Sequence, residues 1–215
     1  MFALGVDPGL SRCGYGAVAR EGGGLRAIAA GVIRTPPDDP LAERLAALLS
    51  ELRLILSEVG PEVVVVERVL FQANARTAMS VGQASGMALV AAAEAGCRVV
   101  QYSPNEVKLA VAGYGAATKE QVQRMVQSLL RLPDRPRPAD TADALALAIC
   151  HLTGAPLRAA AAAAVSASES GPVRGPVGAP AGPSGSSSNS ARRPGSGPTP
   201  MAAASVGAPR RGRPA

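Results

Sequence analysis

Two apolar stretches of this chain each stop on a carboxylate. Phe2–Val6 runs into Asp7 ahead of a Pro-Gly turn, and four consecutive valines, Val63–Val66, run into Glu67. Two further acids, Asp140 and Asp143, stand three apart in PADTADALALAI, a spacing that places both on one face of a helix start. Singly, each has a plain structural role. Asp7 suits a turn by accepting backbone N–H bonds, Glu67 suits a strand end meeting solvent, Asp140 suits an N-cap after LPDRPRP, and Asp143 suits a first turn, where the helix dipole favours an acid. Together they ask for more, because like charges gathered at one edge of a core repel unless some protonate or a cation sits among them. Oxygen donors in that number suit Mg²⁺ or Mn²⁺, with waters completing an octahedron. Two such ions, about 3.5–4 Å apart, activate a water and stabilise the leaving oxygen in phosphodiester hydrolysis. A phosphate-cradling ATPase loop is the competing reading of GVDPG. An actin-like ATPase needs a second lobe with its own phosphate loop, and no second Asp-x-Gly loop follows.

The elements that must position these acids are legible from periodicity. Phe2–Val6, Gly14–Arg20 and Leu25–Arg34 read as strands joined by turns too short for crossover helices, so they are expected to pair as an antiparallel meander. Leu45, Leu48, Leu49, Leu52, Ile55, Leu56 and Val59 recur at helical spacing over Leu41–Val59 after the start signal TPPDDP. That helix delivers the chain to the valine run, which fits a strand buried on both faces, as in a parallel pair. A long helix over Arg76–Ala95, a fifth strand over Cys97–Tyr102 and helices over Asn105–Val111, Lys119–Leu130 and Thr141–Leu152 complete the reading. The expected fold class is α/β, a mixed five-stranded sheet flanked by helices. Parallel placement of the first and fourth strands would bring Asp7 and Glu67 side by side, with Asp140 and Asp143 arriving on the last helix.

Charge and composition divide the chain near residue 154. Residues 155–215 hold seven arginines against one glutamate, the whole formal +6, while residues 1–154 balance fifteen cationic side chains with fifteen acids. The basic pI therefore belongs to the tail and does not describe the core. That tail, rich in Ala, Pro, Gly, Ser and Arg and lacking every aromatic, has no periodic apolar face to offset its ordering entropy, so disorder is expected over 155–215, with nascent helix in the alanine run. Cys13, Cys97 and Cys150 are odd in number and without CxxC spacing, which argues against a disulfide framework and a zinc site. The start lacks a basic region, and no segment reaches about 18 mixed apolar residues, so a cytoplasmic protein without a membrane span is expected.

With GVDPG, VVVVERVLF, VGQASG and DTADALALA in order, residues 1–154 resemble the RuvC family of Holliday-junction resolvases. The resemblance implies a ribonuclease-H-like nuclease domain, a homodimer, and symmetric nicking of opposed strands in four-way DNA junctions, dependent on two Mg²⁺ per site with Mn²⁺ as a substitute. It implies the RuvA–RuvB branch-migration complex as a partner. The family's four catalytic and metal-binding acids fall on Asp7, Glu67, Asp140 and Asp143, and its DNA-contacting lysines on Lys108 and Lys119. By charge alone, both lysines suit phosphate contacts or a solvated face. Arg68, Arg76, Arg124, Arg131, Arg135 and Arg137 are further candidates of that kind. One departure concerns the pair after the glutamate, where the family usually places two aromatics and this chain has Leu70 and Phe71. Either Leu70 wedges at the junction point or Phe71 takes the role, unless both are packing. His151, the single histidine, lies beyond the acids in an apolar helix and is expected to be structural. In Arg76–Ala95 the residues Ala78, Val81, Gly82, Ser85, Ala88, Leu89 and Ala92 form one small-residue face, and the resemblance points to the second protomer as its partner. Other readings are a ribonuclease-H-like nuclease acting on RNA and a junction-binding protein without catalysis.

Overall fold

In chain order the elements are β1 (Phe2–Asp7), β2 (Arg12–Glu21), β3 (Gly24–Arg34), α1 (Leu41–Val59), β4 (Val63–Glu67), α2 (Ala75–Glu94), β5 (Arg98–Tyr102), α3 (Pro104–Ala112), α4 (Lys119–Leu129) and α5 (Ala139–Glu169). The computed structural model describes residues 1–68 and 75–169, and the side chains among them except those of residues 75–77 and 155–169. Leu70 and Phe71 lie outside the described residues; so does the tail from residue 170 onward. Arg76 lies on α2 with its side chain outside the described set.

The strands form one sheet in the order β3-β2-β1-β4-β5. Pairing is antiparallel from β1 to β3 and parallel between β1 and β4 and between β4 and β5, so the sheet is mixed as expected. This is the ribonuclease-H-like arrangement that the resemblance implies. Successive side chains of a strand point to opposite faces, and the central strands feed two cores accordingly. Val63 and Val65 join one core with the buried side chains of α3, α4 and α5, whereas Val64 and Val66 join the other with those of α1 and α2. A strand sandwiched in this way has no solvent face to alternate with, hence four valines in a row.

Helix α1 buries Leu48, Leu52, Ile55 and Leu56, each fully buried leucine contributing about 2–3 kcal/mol. It stops at Gly60, whose left-handed backbone (φ 59°) lets its N–H bond Leu56 O. Helices α3 and α4 each open with a reciprocal capping box, Ser103 with Glu106 and Thr118 with Gln121. These caps fix the starts of the two helices that carry Lys108 and Lys119. On α2 the small-residue face is not a single free surface, since Ser85, Ala88 and Ala92 are buried within this chain, the two alanines in the core shared with α1. Gly82 faces open space. Helix α5 continues to Glu169, past residue 154 where the core was expected to end and through the alanine run, alanine being the strongest helix former.

Candidate active site

The register of the parallel pair builds the first half of the site. Val6 lies beside Val66, so Asp7 and Glu67 occupy the ends of adjacent strands. Both fall on the same side of their strands as Val63 and Val65, the side covered by α3, α4 and α5. The second half arrives on α5, which can lie this close because of three glycines. A Cβ on Gly5 would stand 2.0 Å from Ala144 O, one on Gly14 2.1 Å from Asp140 O, and one on Gly16 2.8 Å from the Leu145 backbone N. No larger residue fits those positions without moving the helix. They set the approach of α5 to β1 and β2 and with it the placement of Asp143 against the strand ends.

Asp7, Glu67 and Asp143 line one cleft of about 250 Å³, together with Lys108 and Lys119 and an apolar wall of Pro104, Val107, Val122 and Leu147. The acids interact strongly. The Asp7 carboxyl is pushed up from 3.8 to about 7, by burial first and then by the negative charges of Glu67, Asp143 and Asp140, with Lys119 opposing. Glu67 is raised by burial and by Asp143, against Lys119 and Lys108. Burial also raises Asp143, with Lys119 lowering it and Asp140 raising it. All three acids are thus held above their ordinary range, by burial first and by one another's charge second.

Two ion pairs answer this charge. Lys119 Nζ lies 3.6 Å from Asp143 Oδ2. Lys119 is the first residue of α4, where the helix dipole disfavours a positive side chain, so its position serves the cleft more than the helix. Asp140 stands outside the cleft lining. Its Oδ2 accepts hydrogen bonds from both Arg12 Nε, at 3.0 Å, and Arg12 Nη2. Among the described residues, no three His, Cys, Asp or Glu side chains stand close enough to hold one ion. The acids are instead divided between cations, Asp143 facing Lys119 and Asp140 facing Arg12. The donor set nevertheless fits a hard divalent cation. Four carboxylates from three elements influence one another electrostatically at one sheet edge, and their repulsion adds to burial in pushing up the Asp7 carboxyl.

The two expected lysines therefore lie beside three of the four expected acids. Arg12 was missed by sequence reasoning. Its only local signal is that it immediately follows GVDPGLS, while its partner is 128 positions away. Arg68 lies one residue beyond Glu67 and donates its backbone N–H to Tyr102 O, and Glu120, lowered first by hydrogen bonds to the backbone and to Thr118, is lowered further by Arg124 and Arg135. Arg135 and Arg137 line a separate open basin with Gln127 and Asp134. His151 is buried. Its ring is 3.0 Å through Nδ1 from Tyr102 Oη and 3.3 Å through Nε2 from Arg98 Nη2. These contacts make the ring a structural link between α5 and β5.

Known proteins share this fold and much of this sequence. The family model described as Crossover junction endodeoxyribonuclease RuvC matches residues 3–151. A protein of that description from Moorella thermoacetica is 49% identical over 158 residues, covering 74% of this chain and 95% of the relative. One from Parafrankia is 53% identical over 159 residues, covering 73% and 88%. The solved structure of Thermus thermophilus RuvC superposes with a TM-score of 0.69 at 40% identity, covering 74% of this chain and 97% of that one. The Thermus protein solved in complex with a Holliday junction substrate gives 0.70 at the same identity, covering 74% and 96%. Family match, identity and fold agree over the part of the chain that builds the acidic cleft, and the chain belongs to the RuvC family of crossover junction endodeoxyribonucleases.

Proposed function

We propose that this chain resolves four-way DNA junctions in recombination and repair by nicking opposed strands symmetrically, with Asp7, Glu67, Asp140 and Asp143 as its catalytic acids. The observation that carries this reading is the cleft in which three acids from three separate elements face Lys108 and Lys119. Those acids would hold Mg²⁺, two ions per site, with Mn²⁺ able to take its place. Bound there, the ions supply an activated water and charge stabilisation for the leaving oxygen of the phosphodiester.

The chain's own residues account for binding and orientation. Lys108 on α3 and Lys119 on α4 flank the acids and suit the phosphates on either side of the scissile bond. Pro104, Val107, Val122 and Leu147 form a dry wall that limits water at the acids. With its carboxyl pushed up to about 7, Asp7 is partly protonated at neutral pH and would have to be ionised to serve as a ligand to a cation. Leu70 or Phe71 supplies the apolar wedge at the junction point, and Arg76 a backbone contact. The enzyme acts as a homodimer in the cytoplasm, since a two-fold junction cut on opposed strands asks for a two-fold enzyme. The open side of α2, with Gly82 and the 65% exposed Met79, suits the second protomer. By family resemblance, the RuvA–RuvB complex delivers the junction.

Incubation of the full chain with a synthetic four-way junction, with and without Mg²⁺, tests the reading. Paired, ligatable nicks on opposed strands only with the metal are expected. Equal cutting of linear duplex, or cutting in chelator, refutes it.

A further inference from the structure

We propose that Arg12 is a positioning residue that holds Asp140 as its counter-ion in the metal-free protein and must be exchanged for a divalent cation before Asp140 can serve the cleft. This rests on the metal-site reading above. Arg12 opens β2, and both Nε and Nη2 point at a single carboxylate oxygen, Asp140 Oδ2. That oxygen cannot give its full negative charge to a guanidinium and to an ion at once. Asp140 is also the acid that does not line the cleft, whereas Asp143, one turn along α5, does. The backbone of Asp140 cannot retreat toward β2, because Gly14 already brings the two within contact. The side chain of Asp140 is therefore the part free to move, and in this structure its Oδ2 is held by Arg12.

The exchange is feasible because neither partner is locked away. The Arg12 side chain is 44% exposed and that of Asp140 26%. A pair this open is worth little beyond its geometry, so an ion held by several carboxylates outcompetes it. The neighbouring residue is anchored independently, with Ser11 Oγ held by Arg44 Nη2 at 2.6 Å. The guanidinium can therefore swing on its own flexible stem without unfolding the β1–β2 turn. Released at the rim of the cleft, it adds a cation where phosphate arrives. By linkage, a DNA phosphate that draws Arg12 away favours ion entry, and ion entry frees Arg12 for DNA.

The test titrates Mn²⁺ into the DNA-free full chain and reads free ion by electron paramagnetic resonance. Arg12→Met should bind Mn²⁺ about three- to five-fold more tightly than wild type, the affinity ratio expected for losing an exposed competing ion pair. Arg12→Lys, which keeps the charge but lacks the two-nitrogen fork, should fall between them. Arg34 is the exposed cross-strand partner of Arg12, and Arg34→Met removes the same charge from the neighbouring strand. It should leave the affinity within two-fold, screening having weakened a field at that distance. Equal tightening by Arg12→Met and Arg34→Met, or no tightening by Arg12→Met, overturns the exchange. A wild-type chain that binds no Mn²⁺ at all fails the metal-site reading first, and the exchange with it.

Discussion

Replacing Asp7 by asparagine should remove cleavage and, in the absence of metal, make the protein more stable at neutral and alkaline pH. In the folded chain the Asp7 carboxyl sits at about 7, whereas in the unfolded chain it ionises near its ordinary 3.8. Between those values the folded protein holds a proton that the unfolded chain has released. Stability contributed by this group is therefore greatest below the lower value, falls as pH rises, and levels off above the higher one. The slope approaches about 1.4 kcal/mol per pH unit, and over the whole separation the ionised carboxylate costs about 4 kcal/mol. Asparagine has the same shape and no charge to desolvate. Its amide still needs hydrogen-bond partners, which takes back about 1–3 kcal/mol at every pH. The clean quantity is thus the change with pH, since the amide cost cancels. Urea unfolding of both proteins in chelator, from pH 4 to pH 8, should show the stability of Asp7→Asn relative to wild type growing by about 4 kcal/mol across the series. Added Mg²⁺ should close the gap at pH 8, because a cation among the acids stabilises wild type and has lost one ligand in the variant. Parallel stability profiles in chelator would refute the argument, since they would mean that Asp7 ionises in the fold as it does in water.

Asp143→Asn should eliminate measurable cleavage while junction affinity in chelator stays the same or tightens, as one negative charge near phosphate is lost; wild-type turnover in that variant removes Asp143 from the site. Gly5→Ala would place a Cβ 2.0 Å from Ala144 O, so α5 must lift off β1. A loss of about 3 kcal/mol by urea unfolding is expected, and a loss under about 0.5 kcal/mol would show that the close approach is not a constraint. A chain ending at Leu157 lacks all seven tail arginines and keeps every one of the four acids and both lysines, so metal-dependent junction cleavage should persist. Its slope of log affinity against log salt should flatten by about two or three, as scattered arginines cease to neutralise phosphates. Superimposable slopes would mean that the tail does not touch DNA.

The sequence by itself determined the parts of this protein that depend on neighbours along the chain. Apolar runs marked the strands and helical periodicity marked α1, among the described elements, and the valine run announced a doubly covered strand. Strand ends are local features too, which is why Asp7 and Glu67 could be paired once β1 and β4 were taken as parallel. Tertiary structure decided what depends on distance in space. The same periodicity that marked α2 could not say that Ala88 and Ala92 turn into this chain's own core. Gly5, Gly14 and Gly16 read as ordinary strand glycines until α5 lies across them. The helical spacing of Asp140 and Asp143 put them on one face, yet Arg12 draws the first aside while the second enters the cleft with Lys119. The proton on Asp7 has the same origin. Desolvation and Coulomb repulsion act through space and not along the chain, so its ionisation is set by burial first and then by acids that are sixty or more residues away in sequence.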